Sequence, residues 1–380
     1  MCHALIASGR EVLLVTTSSE AGIDGATVQF KNVPTVFFPA QFGKSFKYSL
    51  PLQKWLQSNV SEFDLVHIHA VFNHASIAAA RACQTKDIPY IVRPFGTLDP
   101  WGMKQKPLRK KLFWHATAKT MLRGAAAIHY TSETERQAVE QSLHLTRGFV
   151  VPLGVHLKNG ANPEASLEHV LPGFEDNPYV LVLSRLLPTK GLDALLDAFL
   201  SLVQRKEFMN WRLVLAGEGP PEFIRALEQN VTQNAASDFV RFTGWLSGPS
   251  KDVVLRNASL LALPSQHENF GLCVMEALSY GVPVLVSPHV GLSTQIVAER
   301  AGWVTETDVD SLEDTLATAL GSESERLRRG AAGQKLAQRF DWKVVAEQLS
   351  EVYERVISGR HDDFYRRDAE RDGDAEKIDD

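Results

Sequence analysis

The sequence is poor in the features that mark several large classes of protein. Its three cysteines, Cys2, Cys83 and Cys273, are too few and too scattered for a disulfide framework or a zinc site. The net charge is −5, whereas a nucleic-acid-binding surface is usually basic. No run approaches the roughly 18 apolar residues of a membrane span, and no basic segment followed by a long apolar one marks the N-terminus. We therefore expect reduced thiols, a cytoplasmic location, no nucleic-acid partner and membrane contact only at the periphery.

The pattern that is present is that of an α/β protein. Short apolar runs alternate with helical patterns, as in parallel sheets covered on both faces by helices. At about 100 to 200 residues per domain, a chain of 380 residues should hold two doubly wound domains. The first series of predicted strands is 11–16, 35–38, 64–69, 90–93, 127–130 and 149–151. The second series is 179–184, 212–216, 240–243, 260–263 and 284–287.

Shifts in composition predict how these elements are grouped. The stretch after the first series is rich in Gly, Pro and Asn, which is typical of a linker. The final stretch is dense in charge and poor in apolar residues, which predicts disorder. The predicted segments are a first domain at 1–152, a linker at 153–178, a second domain at 179–341, a C-terminal helix at 342–358 and a tail at 359–380.

The first residues have the pattern of a helix that is closed by Gly9 and leads directly into a strand. A doubly wound domain normally begins with a strand, so we predict that the first domain lacks its first one. The alternative is that this domain simply begins with a helix.

The segment 260–276 carries the clearest functional signal. Its first four residues predict a buried strand, and a helix is predicted to begin after Gly271. Glu268 in the loop and Glu276 in the helix therefore flank a helix N-terminus. Free backbone N–H groups and the helix dipole suit a phosphate there, and carboxylates suit the hydroxyls of ribose or sugar. The alternative is an ordinary strand, loop and helix with surface glutamates.

Other turns of the second half also follow strand ends. Arg185 and Lys190 follow the strand 179–184, where two cations can neutralise a diphosphate. A Gly-Glu-Gly turn follows the strand 212–216, and its missing side chains let backbone approach a ligand. Trp245 could wall a nucleobase, or equally fill the core. The residues singled out in the last two turns are Gly217, Gly219 and Trp245.

In order and spacing, these motifs resemble the nucleotide-sugar domain of glycosyltransferase family 4. The resemblance rests on the motifs at 184–191, 215–219, 242–244, 264–271, 276–277 and 281–284. It covers roughly residues 1–357 and is stronger in the second half. It implies the GT-B fold, in which two Rossmann-like domains face a cleft, and a retaining reaction.

The resemblance also implies a role for each donor-site residue. By this resemblance Arg185 and Lys190 bind the donor diphosphate, where charge develops on the leaving group. Glu268 contacts the sugar, and Glu276 holds the ribose. The backbone N–H groups of Asn269, Phe270 and Gly271 bind sugar and phosphate. The first three are the predicted catalytic residues. No metal and no other cofactor is expected, because the cations stabilise the leaving group.

Polar residues at two strand ends of the first half are the acceptor candidates, since these ends border the cleft in the resembling enzymes. Strand-end histidines without a paired carboxylate or cysteine make hydrogen bonds more often than they bind metal, although metal binding is the alternative. Many relatives carry a histidine where this chain has Phe95, so the chain departs from the family there. The candidates are His69, His74, Arg93, Thr97 and Asp99.

A basic amphipathic helix is predicted to begin near Pro107, in a stretch without acidic residues. The apolar positions of the pattern are Leu108, Leu112, Phe113, Ala116 and Met121. A solvated helix face is one interpretation. The other is contact with an anionic membrane or a phosphorylated lipid carrier. The predicted membrane residues are Lys104, Lys106, Arg109, Lys110 and Lys111.

The favoured function is the transfer of a hexose from a nucleoside diphosphate sugar to a glycan or to a polyprenyl-phosphate-linked acceptor, in surface-polysaccharide assembly. An alternative is a transferase or phosphorylase-like enzyme acting on small sugars or storage glucan. Another is a truncated, inactive relative that only binds nucleotide sugar or a partner transferase. A dehydrogenase is disfavoured because no GxGxxG follows an early strand.

Overall fold

The computed structural model describes residues 1–18, 25, 27–43, 46–104, 107–157, 166–174 and 176–360, without the side chains of Pro107 and Arg109. Contacts divide the chain into two compact units. The first comprises Met1–Pro152 with Trp342–Asp380, and the second comprises Leu153–Asp341. The predicted tail lies outside the described residues beyond position 360.

The first unit contains a three-stranded and a four-stranded sheet. Its strands are β1 Leu14–Ser18, β2 Thr27–Phe30, β3 Val33–Pro39, β4 Val66–His69, β5 Tyr90–Arg93, β6 Ala127–Tyr130 and β7 Gly148–Val150. The smaller sheet has the order β1-β3-β2, with β2 antiparallel, and the larger has the parallel order β4-β5-β6-β7. The first predicted strand, 11–16, is placed two to three residues too early, and β2 was not predicted.

Helices cover these sheets, and short polar side chains begin several of them. Ser49, Asn73 and Ser132 each accept a hydrogen bond from a backbone N–H of the first turn, as N-cap residues do. The helices are α1 Cys2–Ala7, α2 Leu50–Asn59, α3 His74–Lys86, α4 Pro100–Lys104, α5 Pro107–Phe113, α6 Lys119–Arg123 and α7 Glu133–Leu143.

The two sheets of the first unit share their hydrophobic cores although they are not paired with each other. Within the described residues, β1 pairs only with β3, and β4 pairs only with β5. Leu13 and Val15 nevertheless pack into the same core cluster as Ile68 of β4. The absence of a first strand therefore stays a prediction, and it concerns the position between these two edges.

The predicted basic helix has a different register from the one that its sequence suggests. A π-helical turn, Trp114–Ala118, joins α5 to α6. A π turn holds an extra residue, so it rotates the buried face along the helix. Of the predicted apolar positions, Met121 is buried, whereas Leu108 and Leu112 are 84% and 74% exposed; Trp114, which was not among them, is buried.

The second unit is built on one six-stranded parallel sheet. Its strands are β8 Tyr179–Leu183, β9 Arg212–Ala216, β10 Val240–Gly244, β11 Leu260–Leu263, β12 Val284–Val286 and β13 Gly302–Val304. Their spatial order is β10-β9-β8-β11-β12-β13. In this unit only β13 was not predicted. Its three residues include Gly302, so its apolar run is too short to indicate a strand. This sheet confirms the α/β prediction.

One helix precedes these strands, and the others lie between and after them. They are α8 Leu167–Val170, α9 Leu192–Val203, α10 Pro221–Gln233, α11 Gly248–Asn257, α12 Leu272–Ser279, α13 Ser293–Ala298, α14 Val309–Leu320, α15 Glu323–Gln338 and α16 Trp342–Ile357. The last of these packs on the first unit, where Val345 and Leu349 share a core cluster with Ile91 of β5.

The described part of the predicted linker packs into the second unit. Val155, Leu171 and Phe174 are 5%, 0% and 2% exposed and belong to that unit's core. This packing of the linker could not be predicted, because the residues that anchor it are isolated apolar side chains without a helical or strand period.

Candidate donor site

The strand order of the second unit reverses between β8 and β11. From β8 the chain winds to one edge through β9 and β10, and from β11 it winds to the other edge. In open α/β sheets, ligands bind beyond the carboxyl ends of the strands at such a switch point. The segments that follow β8 and β11 contain Lys190 and Glu268.

Backbone contacts hold these two segments together. The N–H of Gln266 donates to the carbonyl of Thr189 over 2.9 Å. Gly191 has a φ of 65° and lies against Pro264, whose carbonyl oxygen would be 2.3 Å from an added Cβ. Glycine is therefore required at this position, because only a residue without a side chain permits so close an approach.

Lys190 and Glu268 form an ion pair at the switch point. The Nζ of Lys190 donates to Oε2 of Glu268 over 2.6 Å, and the two side chains are 9% and 26% exposed. The backbone of Glu268 is held on both sides, since its N–H donates to His289 and its carbonyl accepts from Gly291. The structure thus brings together two of the three predicted catalytic residues. The third, Arg185, is exposed just beyond β8, and its role stays a prediction.

The N-terminus of α12 lies immediately after this pair. Gly271 precedes the helix with a φ of 93°. Phe270 anchors the loop, being 3% exposed and packed on Phe340 with ring centroids 6.0 Å apart. The first N–H groups of a helix have no intrahelical acceptor and carry a positive partial charge, so they suit an anion. Donor binding by Asn269, Phe270 and Gly271 stays a prediction on these grounds.

Glu276, on the second turn of α12, is also paired with a lysine. The Nζ of Lys251 in α11 donates to its Oε1 over 2.7 Å, and the side chains are 27% and 30% exposed. Lys251 could not be predicted from the sequence, because it lies in no motif. Only the packing of α11 beside α12 brings Lys251 to the carboxylate of Glu276.

The thiol of Cys273 reports the electrostatics between the two carboxylates. Burial raises its pKa to about 12, and the charges of Glu268 and Glu276 act in the same direction, while Lys190 opposes them. A thiol at a helix N-terminus usually has a lowered pKa. Here burial and the two carboxylates act against that tendency and favour the protonated thiol.

The glycine turn after β9 is packed against backbone. An added Cβ on Gly217 would be 1.8 Å from the carbonyl oxygen of Ser184, and one on Gly219 would be 1.8 Å from that of Leu186. The turn therefore needs glycine for packing, and a contact of Gly217 or Gly219 with a donor stays a prediction. Trp245 is 65% exposed, which removes the alternative that it fills the core.

In the first unit, several acceptor candidates are engaged in local structure. His74 is 6% exposed; its Nδ1 accepts from the N–H of Ser49, and its Nε2 bonds Oε1 of Gln53. Asp99 accepts from the N–H of Gly102 over 2.6 Å within α4. Thr97 donates to the carbonyl of Pro94. These bonds lie within the first unit, and contact of the three side chains with an acceptor stays a prediction.

His67 and His129 form a buried hydrogen-bonded chain. Burial holds the pKa of both histidines well below the usual range, so both are neutral. Nε2 of His129 donates to the carbonyl of Val151 over 2.7 Å, so its Nδ1 must accept from Nε2–H of His67 over 3.3 Å. Nδ1 of His67 then accepts from the hydroxyl of Tyr353 over 2.7 Å. These histidines hold α16 to the sheet.

Arg93 is the acceptor candidate with unused donors. It is 2% exposed, and in the described part of the chain its Nε and Nη2 have no hydrogen-bond partner. Its guanidinium lies 4.5 Å from the ring centroid of Phe95, and burial lowers its pKa to about 10. His69 beside it has a pKa lowered to about 3, first by burial and then by the charge of Arg93.

The predicted membrane residues are divided by the structure. Lys104 and Lys111 are exposed. Lys110 is partly buried and donates to the carbonyl of Gly102 over 2.7 Å, and its contact with a membrane stays a prediction. The side chains of Lys106 and Arg109 lie outside the described residues.

The described residues contain no helix that is long and apolar enough to cross a membrane. They also contain no group of three or more His, Cys, Asp or Glu residues that could hold a metal ion.

The class of protein follows from two family models, both of glycosyltransferases. A family model described as "Glycosyl transferase 4-like domain" matches residues 1–154, and one described as "Glycosyl transferases group 1" matches residues 167–336. Between them these two models account for most of the chain. The chain therefore belongs to the GT4-type glycosyltransferases.

Similar solved structures show the same GT-B fold. Sucrose-phosphate synthase from Thermosynechococcus elongatus has a TM-score of 0.76 at 20% identity, covering 94% of this chain and 92% of that one. Anabaena HepE in complex with UDP and glucose has a TM-score of 0.71 at 21% identity, covering 90% of this chain and 99% of that one.

Sequence relatives match over a shorter range. D-inositol 3-phosphate glycosyltransferase of Corynebacterium efficiens is 30% identical over 186 residues, which are 48% of this chain and 44% of that protein. Phosphatidyl-myo-inositol mannosyltransferase of Mycobacterium leprae is 30% identical over 209 residues, 54% of each chain. The chain thus spans about half the length of the curated relatives that it matches.

Proposed function

We propose that the protein is a retaining hexosyltransferase that moves a sugar from a nucleoside diphosphate sugar to a glycan or polyprenyl-phosphate-linked acceptor. Its expected place is surface-polysaccharide assembly at the cytoplasmic face of the cell membrane. The observation that carries this proposal is the Lys190–Glu268 pair beside the N-terminus of α12, with Glu276 one turn further on.

The arrangement suits departure of a diphosphate. Breaking the anomeric bond leaves negative charge on the diphosphate and positive charge on the sugar carbon. An ammonium has three N–H donors, and Lys190 uses one on Glu268, so it can also donate to a phosphate oxygen. Together with the N–H groups of α12 and the nearby Arg185, it would stabilise the leaving group without a divalent metal.

Retention is proposed to follow a front-face path, in which the acceptor attacks from the side of the departing diphosphate. The alternative, a covalent intermediate, needs a side-chain nucleophile. Cys273 lies between the two carboxylates, but its raised pKa keeps the thiol protonated. Glu268 is proposed to contact the sugar and Glu276 the ribose.

The comparisons support a nucleotide-sugar donor and leave its sugar open. HepE was crystallised with UDP and glucose, and the relatives include an inositol phosphate glycosyltransferase and a mannosyltransferase. A lipid-linked acceptor is supported by the surface around α5. Two exposed leucines, Leu108 and Leu112, stand there with exposed Lys104 and Lys111. This pattern suits an anionic bilayer surface.

A thermal-shift panel of UDP-, GDP- and ADP-sugars tests the donor site. We expect one base to raise the melting temperature of the chain, and Glu276→Ala to abolish that rise. The exposed Lys335→Ala, on α15 of the same unit, should leave the rise unchanged. No shift with any of the donors would count decisively against the proposal.

A second function, nucleotide-sugar binding without turnover, is favoured by the first unit, where no strand of the described residues pairs with the outer edges of β1 and β4. Release of free nucleoside diphosphate in the presence of acceptor glycans distinguishes the two. A nucleotide-dependent thermal shift with no release of diphosphate would support the second function.

A further inference from the structure

Lys251 is a charged residue next to the donor site that has no role in the proposed chemistry. It lies on the first half of α11, which follows the turn that carries Trp245. Its Nζ is 2.7 Å from Oε1 of Glu276, and both side chains are partly exposed, at 27% and 30%. The pair joins α11 to α12 and faces solvent on one side, so a ligand has access to it.

The pair repeats the arrangement of Lys190 and Glu268. In both pairs a lysine donates one short hydrogen bond, of 2.6 Å or 2.7 Å, to one oxygen of a glutamate. The charges of both glutamates raise the pKa of the Cys273 thiol, so both lie near it. In each pair the lysine engages one of the two carboxylate oxygens.

We propose that Lys251 is a positioning residue for the ribose of the donor. It holds the carboxylate of Glu276 in one orientation, so that Oε2 and the remaining lone pair of Oε1 are directed to the vicinal hydroxyls of the ribose. A free glutamate has several rotatable bonds and loses entropy when a ligand orders it. Lys251 removes part of that loss before the ligand binds. The inference rests on the proposed function, because it assumes that Glu276 meets the ribose.

A purely structural pair would have a different effect. If the ion pair only joined α11 to α12, its loss would lower the stability of the unit. Any weakening of nucleotide binding would then be the same with and without the ribose hydroxyls. A positioning role instead predicts that the loss falls on ligands that carry the ribose hydroxyls. The discrimination between a ribonucleotide and its 2′,3′-dideoxy counterpart is therefore the quantity to measure.

The experiment measures Kd by calorimetry for UDP, GDP, ADP and their 2′,3′-dideoxy forms, using the full chain. Wild type should bind one ribonucleotide more tightly than its dideoxy form. Lys251→Met should weaken the ribonucleotide by roughly two- to five-fold, the effect of losing a partly exposed ion pair, and leave the dideoxy form unchanged. Lys251→Arg should restore most of the difference, and Lys335→Met is the matched control.

Glu276→Gln separates the inference from the proposed function. If none of UDP, GDP and ADP binds to wild type, the donor site itself fails. If Glu276→Gln removes the ribose discrimination while Lys251→Met leaves it intact, the donor site stands and the role of Lys251 is overturned. Equal weakening of ribo and dideoxy forms by Lys251→Met would likewise overturn it. In the Glu276→Gln background, Lys251→Met should have no further effect.

Discussion

Lys190 reaches Glu268 across 78 positions of sequence, and the 2.6 Å bond between them joins the segments that follow β8 and β11. Lys190 is buried, and the carboxylate of Glu268 compensates its charge in the absence of a ligand. A cation fixed in this way is already oriented for the charge that develops on a leaving diphosphate, which is the condition for electrostatic catalysis.

We expect Lys190→Ala to lower turnover by more than ten-fold, which corresponds to about 1.4 kcal/mol of lost transition-state stabilisation. The measurement is the initial rate of diphosphate release at saturating donor. Lys335→Ala should be indistinguishable from wild type, since this lysine is exposed on α15. Unchanged kinetics in Lys190→Ala would remove Lys190 from the leaving-group site.

Gly219→Ala tests the close packing of the turn after β9. The new Cβ would be 1.8 Å from the carbonyl oxygen of Leu186, which the backbone must move to avoid. We expect a loss of about 3 kcal/mol in the free energy of unfolding, measured with urea. Gly248→Ala is the control, because a Cβ there meets nothing within 4 Å and only its φ of 53° is unfavourable, at about 1 to 2 kcal/mol. Similar losses in both variants would contradict the steric explanation.

The sequence was informative where one local segment contains the whole signal. Glu268 and Glu276 stand in one strand, loop and helix, so their placement around a helix N-terminus followed from apolar runs and from Gly271. The sequence also singled out Lys190, but not its bond to Glu268, and it did not indicate Lys251 at all. The contact of Lys251 with Glu276 spans 25 positions and depends on the packing of two helices.

The basic helix shows how tertiary packing overrides a periodic pattern. The spacing of Leu108 and Leu112 fits the face of an ordinary helix, but both are exposed, and the buried residues are Trp114 in the π turn and Met121 beyond it. The acceptor candidates also make local bonds that the sequence does not reveal, and their contact with an acceptor stays a prediction. His74 and Asp99 lie at strand ends, as expected, yet their hydrogen bonds are made within the first unit.

The buried histidines of the first unit should make stability depend on pH. Burial lowers the pKa of His69 to about 3, while an unfolded histidine titrates near 6.5. Between these values the unfolded chain binds the extra proton, so stability is complete above pH 6.5 and declines as the pH falls towards 3. Each such group contributes a slope of up to about 1.4 kcal/mol per pH unit.

We therefore expect His69→Gln to flatten the dependence of the unfolding free energy on pH between 6.5 and 4, measured with urea. His115→Gln is the control, because His115 is exposed and its loss should leave the slope unchanged. An equal slope in wild type and His69→Gln would show that His69 binds as many protons in the folded chain as in the unfolded one, so that folding does not lower its pKa.

Exposed leucines beside lysines predict binding to anionic vesicles. Replacing Leu108 and Leu112 with Asn should reduce flotation with phosphatidylglycerol-rich liposomes, because both side chains are free to enter the bilayer interface. Lys104→Gln with Lys111→Gln should weaken binding by roughly 30-fold, at about 1 kcal/mol for each charge. Leu327→Asn, at a position 67% exposed on α15, is the matched control. Flotation that does not respond to salt would exclude this surface.

The edges of β1 and β4 predict that one further parallel strand can be accommodated between them. Every residue of β1 is half-buried, whereas neighbouring Leu13 packs in the core on one face and Val12 in the core on the other. A strand there would complete the doubly wound order, with α1 as its right-handed crossover to β1.

Fusing an apolar strand, a loop and one helical turn ahead of Met1 tests this prediction. The melting temperature should rise by about 4 °C or more, and the amides on the open edges of β1 and β4 should exchange more slowly with solvent. A Gly/Ser extension of equal length is the control, since it cannot bury apolar surface. The same change with both extensions would mean that added length, and not strand pairing, stabilises the unit. An unprotected β4 edge in the strand fusion would contradict the placement between the two sheets.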